Sequence, residues 1–146
     1  MGSQMKDSFG REINYLRIAV TDRCNFLCRY CIPPEGITLL PRDEILSYEE
    51  IIEVVKTALK IGINRFRITG GEPLLRTNLV DFIKNLIELP GVEAVSLTTN
   101  GYLLEQYADE KNWTGRIKWL HYTKTDCEYG YEIAQEALAE KEDEVK

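Results

Sequence analysis

The fold is constrained most by three short segments that alternate apolar and polar residues, at positions 15–21, 65–69 and 94–99. Side chains that alternate with period two are typical of β-strands. Amphipathic helical patterns at residues 47–61 and 79–87 separate the three segments. A strand, helix, strand, helix order predicts right-handed βαβ units and a parallel sheet. We therefore predict an α/β fold with parallel strands.

The helix boundaries have recognisable signals. Ser47 and Glu50 have the spacing of an N-terminal capping box, and Gly62 is placed to end the same helix. Pro90 and Gly91 end the second helix. The pattern also indicates a shorter helical piece near residues 103–110, a strand at 117–122 and a helix at about 130–141.

The two faces of the predicted sheet differ in polarity. One face is apolar and is formed by Leu16, Ile18, Val20, Phe66, Ile68, Val95 and Leu97. The other is polar and includes Arg17, Arg67 and Thr98. A doubly wound sheet buries both faces and has nearly continuous apolar strands. A polar inner face instead favours a partial (β/α) barrel of about three to four βα units around a ligand cavity.

Arg17 and Arg67 on this polar face need anionic partners, because a confined guanidinium group is costly unless it is paired. A nucleotide phosphate is one such partner. The alternative is that each arginine pairs with a nearby carboxylate, such as Glu72 or Asp22.

Three of the four cysteines, Cys24, Cys28 and Cys31, follow the first strand with the spacing C-x3-C-x2-C. Three thiolates can hold a 4Fe-4S cluster and leave one iron open to a small ligand. A zinc site is an alternative, with Cys127 or His121 as the fourth ligand. Disulfides are disfavoured, because no hydrophobic signal peptide precedes the cysteines. We therefore expect metal-binding thiols in a reducing cytoplasm.

Two further motifs follow the second and third strands, at residues 70–73 and 98–101. The carboxyl ends of parallel strands share one edge, so both motifs should meet the cysteine loop at one rim. Residues 70–73 read Gly-Gly-Glu-Pro, which could be only a turn with unusual backbone angles. Beside a cysteine loop, we favour glycines that permit close approach of the backbone to a ligand.

Composition narrows the class of protein. A net charge of −6 and a pI of about 4.9 argue against nucleic-acid binding by overall charge. No apolar run is long enough to span a membrane. The length of 146 residues is too short for an eight-stranded barrel of about 250 residues. We divide the chain into a tail resembling an expression tag at 1–8, a half-barrel at 9–110 and a divergent segment at 111–146.

Residues 16–26, the cysteine triplet, residues 67–74 and residues 97–101 together resemble the radical S-adenosylmethionine superfamily. Within it they are most similar to the GTP 3′,8-cyclases, lyases of molybdenum-cofactor biosynthesis. This resemblance implies that the cysteine triplet ligates a 4Fe-4S cluster. It also implies that Tyr30 and Gly71 contact S-adenosylmethionine, and that Arg17, Arg67 and Thr98 contact GTP.

The resemblance also implies a one-electron donor protein and a 5′-deoxyadenosyl radical that abstracts hydrogen from the ribose of GTP. After residue 110 we recognise neither the family's serine-bearing fourth strand, nor its second three-cysteine cluster, nor its paired-glycine tail. We therefore expect a cluster-binding and S-adenosylmethionine-binding portion that does not complete GTP cyclisation alone. The alternative is a truncated or chimeric iron-sulfur scaffold without catalytic activity.

Overall fold

The computed structural model describes residues 5–28, 31, 33 and 35–107, and the backbone of 117–121. Within them the elements are β1 (Tyr15–Ala19), α1 (Tyr48–Lys60), β2 (Arg65–Thr69), α2 (Leu79–Glu88), β3 (Ala94–Thr99), α3 (Leu104–Tyr107) and β4 (Ile117–His121). Two short 3-10 turns, Arg42–Glu44 and Pro73–Leu75, precede α1 and α2.

The four strands form one sheet in the order β1-β2-β3-β4, and every neighbouring pair is parallel. The predicted α/β class is confirmed. The sequence predicted a strand at 117–122 but did not identify it as a continuation of the sheet. The structure pairs β4 in parallel with β3, where a fourth barrel strand would lie. The five residues of β4 include no serine. The serine-bearing fourth strand that the family resemblance implies therefore did not identify β4 in the sequence.

The apolar face of the sheet packs against both long helices. Phe66, Ile68, Val95 and Leu97 are all at most 1% exposed. They share one core cluster with the buried residues of α1 and α2, while Leu16 and Ile18 pack at its edge. The opposite face is only partly covered, which leaves a polar concave surface and confirms the partial-barrel architecture.

Helix α1 begins where the capping box predicts. The amide of Glu50 donates to Ser47 Oγ at 3.2 Å, and the amide of Ser47 donates to Glu50 Oε2 at 2.7 Å. Because Ser47 is the cap, the first helical residue is Tyr48. The helix ends at Lys60, and Gly62 adopts a φ of +90°, which a residue with a side chain rarely adopts.

Some predicted elements extend beyond the part of the chain that the structure describes. The helix predicted at 130–141 lies wholly outside it. Only Leu104–Tyr107 of the helical piece predicted at 103–110 lies within it. Among the described helices, none is long and apolar enough to cross a membrane.

We predict that Ser47→Ala lowers the free energy of unfolding by about 1 kcal/mol, because the α1 amides lose their side-chain acceptor. Urea unfolding followed by circular dichroism measures this change. Ser8→Ala is the control, since Ser8 is exposed in a turn and caps no helix. Equal stability of the two variants would contradict the assigned cap.

Candidate functional site

The pairing of β1 with β2 continues beyond both strands toward the predicted rim. The Val20 amide donates to the Thr69 carbonyl at 2.9 Å, and the Gly71 amide donates to the Thr21 carbonyl at 2.7 Å. The Glu72 amide then donates to the Arg23 carbonyl at 2.8 Å. The segment leading into the cysteine loop is therefore held directly against the Gly-Gly-Glu motif.

Gly70 and Gly71 are required by this backbone contact. A Cβ atom at Gly70 would overlap the carbonyl oxygen of Thr21, and one at Gly71 would overlap the carbonyl oxygen of Arg23. The close approach that the glycines permit is thus to the chain's own backbone. Contact of Gly71 with a ligand stays a prediction.

Glu72 joins the ends of β2 and β3. Its side chain is 1% exposed. Oε1 accepts from Thr99 Oγ1 at 2.7 Å and from the Leu74 amide at 3.0 Å, while Oε2 accepts from the Asn100 amide at 2.7 Å. Three donors thus surround a buried carboxylate, which lowers the cost of burying its charge.

Asn100 connects the end of β3 to the cysteine loop. Its Oδ1 accepts from the Tyr102 amide at 3.0 Å, and its Nδ2 donates to Asn25 Oδ1 at 2.9 Å. The rings of Phe26 and Tyr102 also meet edge to face, with centroids 5.9 Å apart. The three rim segments predicted from the sequence therefore do come together.

A pocket of about 530 Å³ opens beside these contacts. Cys24, Cys28 and Cys31 all line it, together with Gly70 and Gly71. Cys28 is buried, Cys24 half-buried and Cys31 exposed, and none of the three forms a disulfide. Within the described ranges, no three His, Cys, Asp or Glu side chains already form a metal-binding group. The cysteines thus share a pocket without a preformed ligand cage.

The donor set and the pocket fit an iron-sulfur cluster. Three thiolates from one short loop can ligate three of the four irons of a 4Fe-4S cluster, and all three cysteines line the same pocket. Burial raises the pKa of the Cys24 thiol, and nearby Glu72 and Cys31 raise it further. The Phe26 amide, which donates to Cys24 Sγ at 3.4 Å, acts in the opposite direction. A bound metal would favour the thiolate that burial disfavours.

The arginines predicted on the polar face are direct neighbours. Arg17 of β1 is paired in register with Arg67 of β2. Neither forms an ion pair with any acidic side chain that the structure describes, so the alternative of pairing with Glu72 or Asp22 is wrong. The Arg67 guanidinium lies over the Tyr15 ring, 5.3 Å from its centroid. Its buried Nε has no hydrogen-bond partner within the described part of the chain.

Other predicted site residues are placed in part. Thr98 lies on the same face of β3 as Ser96, which is paired with Arg67. Tyr30 lies outside the described residues. So do Cys127 and the side chain of His121, the two proposed fourth ligands of a zinc site.

Residues 37–46 form an outer wall of the pocket, which was not predicted from the sequence. Arg76 holds this wall: Nη1 donates to the Val20 carbonyl at 2.6 Å, and Nη2 donates to the Leu46 carbonyl at 2.7 Å. Its guanidinium also stacks on Tyr48, 4.1 Å from the ring centroid. The only sequence signal was an arginine shortly after the Gly-Gly-Glu-Pro motif.

Comparison with known proteins agrees with this geometry. The family model described as the Radical SAM superfamily matches residues 18–113, which is more than half of the chain. This chain belongs to the radical SAM superfamily. The matched region contains all three pocket cysteines, the whole of β2 and β3, and the last two residues of β1.

Relatives within the superfamily are about 50% identical to this chain over the regions that align. A GTP 3′,8-cyclase of Thermodesulfovibrio yellowstonii is 54% identical over 107 residues, which cover 73% of this chain and 33% of the relative. One of Petrotoga mobilis is 51% identical over 71% of this chain and 32% of its own length. One of Geobacter sulfurreducens is 47% identical over 77% and 34%. The chain therefore spans about a third of the length of the curated relatives it matches.

We predict that Glu72→Ala lowers the free energy of unfolding by at least about 3 kcal/mol, because each hydrogen bond to a charged group contributes about 1.5 to 3 kcal/mol. The substitution leaves the Thr99 hydroxyl and the Asn100 amide without their acceptor. Chemical denaturation measures the change. Glu88→Ala is the control, since Glu88 is exposed at the end of α2. If both variants lose equally little stability, Glu72 does not join the strands as described.

Proposed function

We propose that this chain is the cluster-binding and S-adenosylmethionine-binding portion of a radical SAM enzyme that resembles the GTP 3′,8-cyclases. The observation that carries the proposal is that all three cysteines and both motif glycines line one pocket at the carboxyl ends of the strands. Active sites of parallel βα folds lie at this end. The similarity to GTP 3′,8-cyclases supports GTP as the substrate of the complete enzyme.

Cys24, Cys28 and Cys31 would hold a 4Fe-4S cluster. When bound, the cluster supplies one electron for reductive cleavage of the sulfonium group of S-adenosylmethionine. The outer wall of the pocket includes the apolar side chains of Ile37, Leu40 and Leu46. These side chains would limit the access of water to a reactive intermediate.

The polar face supports binding of an anion beside this pocket. Neighbouring strands lie about 4.8 Å apart, so Arg17 and Arg67 bring two positive charges close together. Among the described residues neither guanidinium has an ion-pair partner, so the two repel each other, and a shared anion would remove that repulsion. A nucleoside triphosphate can supply such an anion, and Thr98 on the same face offers a hydroxyl group to the same ligand.

We propose a reducing cytoplasm as the location, supported by three cysteines within one loop that form no disulfide. A one-electron donor protein is the expected partner, because cleavage of the sulfonium consumes an electron. A non-catalytic iron-sulfur scaffold is the second candidate.

The metal content tests this proposal. Anaerobic reconstitution should give about four iron and four sulfide per chain. Addition of S-adenosylmethionine should change the electron paramagnetic resonance spectrum of the reduced cluster. Replacing Cys24, Cys28 and Cys31 together with alanine should abolish iron binding, while Cys127→Ala should leave it unchanged. Stoichiometric zinc without sulfide, lost on Cys127→Ala, would instead establish the zinc site.

Nucleotide binding tests the arginine pair. Arg67→Ala should weaken GTP binding about tenfold or more, because a charge-assisted hydrogen bond contributes about 1.5 to 3 kcal/mol. Equilibrium titration with GTP measures the affinity. Arg65→Ala is the matched control, because Arg65 is in the same strand but pairs with Glu93 at 3.4 Å. Equal losses in the two variants would show a general charge effect and sink the assignment.

A further inference from the structure

Asp22 and Arg23, which lie just before the first cysteine, both contact the backbone of Leu40. Asp22 Oδ2 accepts from the Leu40 amide at 2.6 Å, and Arg23 Nη2 donates to the Leu40 carbonyl at 3.2 Å. The two side chains also form an ion pair, with Arg23 Nη1 2.9 Å from Asp22 Oδ1. The backbone amide and carbonyl of Leu40 are therefore both hydrogen-bonded, one by each of two adjacent side chains.

These contacts close a loop. The segment between them, residues 24–39, contains all three cysteines. At its first end, the Arg23 carbonyl accepts from the Glu72 amide, so Arg23 is itself fixed to the extended β2 edge. Closing a chain segment at both ends removes most of its conformational freedom in advance of binding. These contacts of Asp22 and Arg23 with Leu40, which we call the Asp22 clamp, thus limit where the three thiols can lie.

The charges of the Asp22–Arg23 ion pair also suit its position beside the cysteines. Asp22 lines the same pocket as the cysteines. Its side chain is 23% exposed and that of Arg23 is 31% exposed, so water screens the pair only in part. A lone carboxylate there would repel the thiolates, and the guanidinium of Arg23 offsets that charge.

We propose that Asp22 and Arg23 are positioning residues that close the cysteine loop on Leu40 and present its thiols to the pocket. Loop closure is a property of the protein without any ligand. The consequence for a cluster rests on the proposed function.

Loop closure is tested by amide hydrogen exchange on the full chain without iron, followed by mass spectrometry of peptides that contain Leu40. Asp22→Ala removes a charge-assisted acceptor, so Leu40 should exchange about tenfold faster or more. Asp22→Asn keeps an oxygen that can accept the same amide and should stay within about threefold of wild type. Asp43→Asn is the matched control in the exposed Arg42–Glu44 turn and should not change exchange at Leu40.

Arg23→Lys covers the case in which Asp22→Ala fails to fold. A single ammonium group cannot bridge the carboxylate and the Leu40 carbonyl as the guanidinium fork does. Leu40 exchange should then accelerate about threefold, with the overall circular dichroism unchanged. The proposal is overturned if Leu40 exchanges at the wild-type rate in both Arg23→Lys and Asp22→Ala. If the alanine variant is unfolded, a wild-type rate in Arg23→Lys alone overturns it.

The consequence for the cluster is measured separately, in reconstituted protein. In Asp22→Ala, the S-adenosylmethionine concentration that half-saturates the change in the electron paramagnetic resonance spectrum should rise about tenfold, because small displacements of bound groups have large effects. Asp22→Asn should restore the wild-type value to within about threefold. If wild type binds no cluster, the proposed function fails while the exchange data still decide loop closure. If the cluster binds and Asp22→Ala leaves this concentration unchanged, the clamp does not position the thiols.

Discussion

The buried carboxylate of Glu72 is the interaction on which the rest of the site depends. An unpaired charge in this position would cost several kcal/mol, so the surrounding donors are a condition for its burial. Those donors are the Leu74 amide, in the turn that follows Glu72, and the Thr99 hydroxyl and Asn100 amide at the end of β3. Because one side chain satisfies all three, β2 and β3 must end at the same level. The cysteine loop then attaches to this common level through Asn100 and through the Glu72 amide.

The two faces of the sheet differ in packing, because the same strands carry apolar side chains on one face and polar side chains on the other. Phe66 and Ile68 are almost fully buried under the helices, which provides the hydrophobic stabilisation of the domain. Arg67 lies between them in sequence and faces the other way, beside Arg17. Two adjacent arginines do not stabilise a fold, and the stacking of Arg67 on Tyr15 compensates only in part. Their arrangement is what the proposed anion site requires.

Most of the fold could be predicted from the sequence, because its signals are local. Alternation identified β1, β2 and β3, and the Ser47 capping box identified the start of α1. The pairing of β4 with β3 could not be predicted, since backbone hydrogen bonds between strands leave no mark in the side-chain pattern. The prediction that three motifs meet at the carboxyl ends of the strands is confirmed.

The contacts within the rim were less predictable. The alternative was that Glu72 or Asp22 pairs with the arginines of the polar face, but each carboxylate accepts a backbone amide from a distant part of the sequence. The amide donated to Asp22 belongs to Leu40, which is distant in sequence and carries no polar side chain. Such side-chain to backbone contacts depend on how the chain returns to the rim. For that reason neither the Asp22 clamp nor the role of Arg76 could be inferred from residue types.

The cysteine loop combines strong anchors with an incomplete metal site. It is tied at Arg23, Asn25 and Leu40, yet the described side chains include no ready-made group of three metal ligands. Metal binding and ordering of the ligands are coupled, so whatever freedom the anchors leave must be lost when the metal binds. Burial of Cys24 adds a second cost, since its thiol must lose a proton in a half-buried position where ionisation is disfavoured. Anchors outside the cysteines therefore matter most, because they reduce the ordering cost without adding further charge to the pocket.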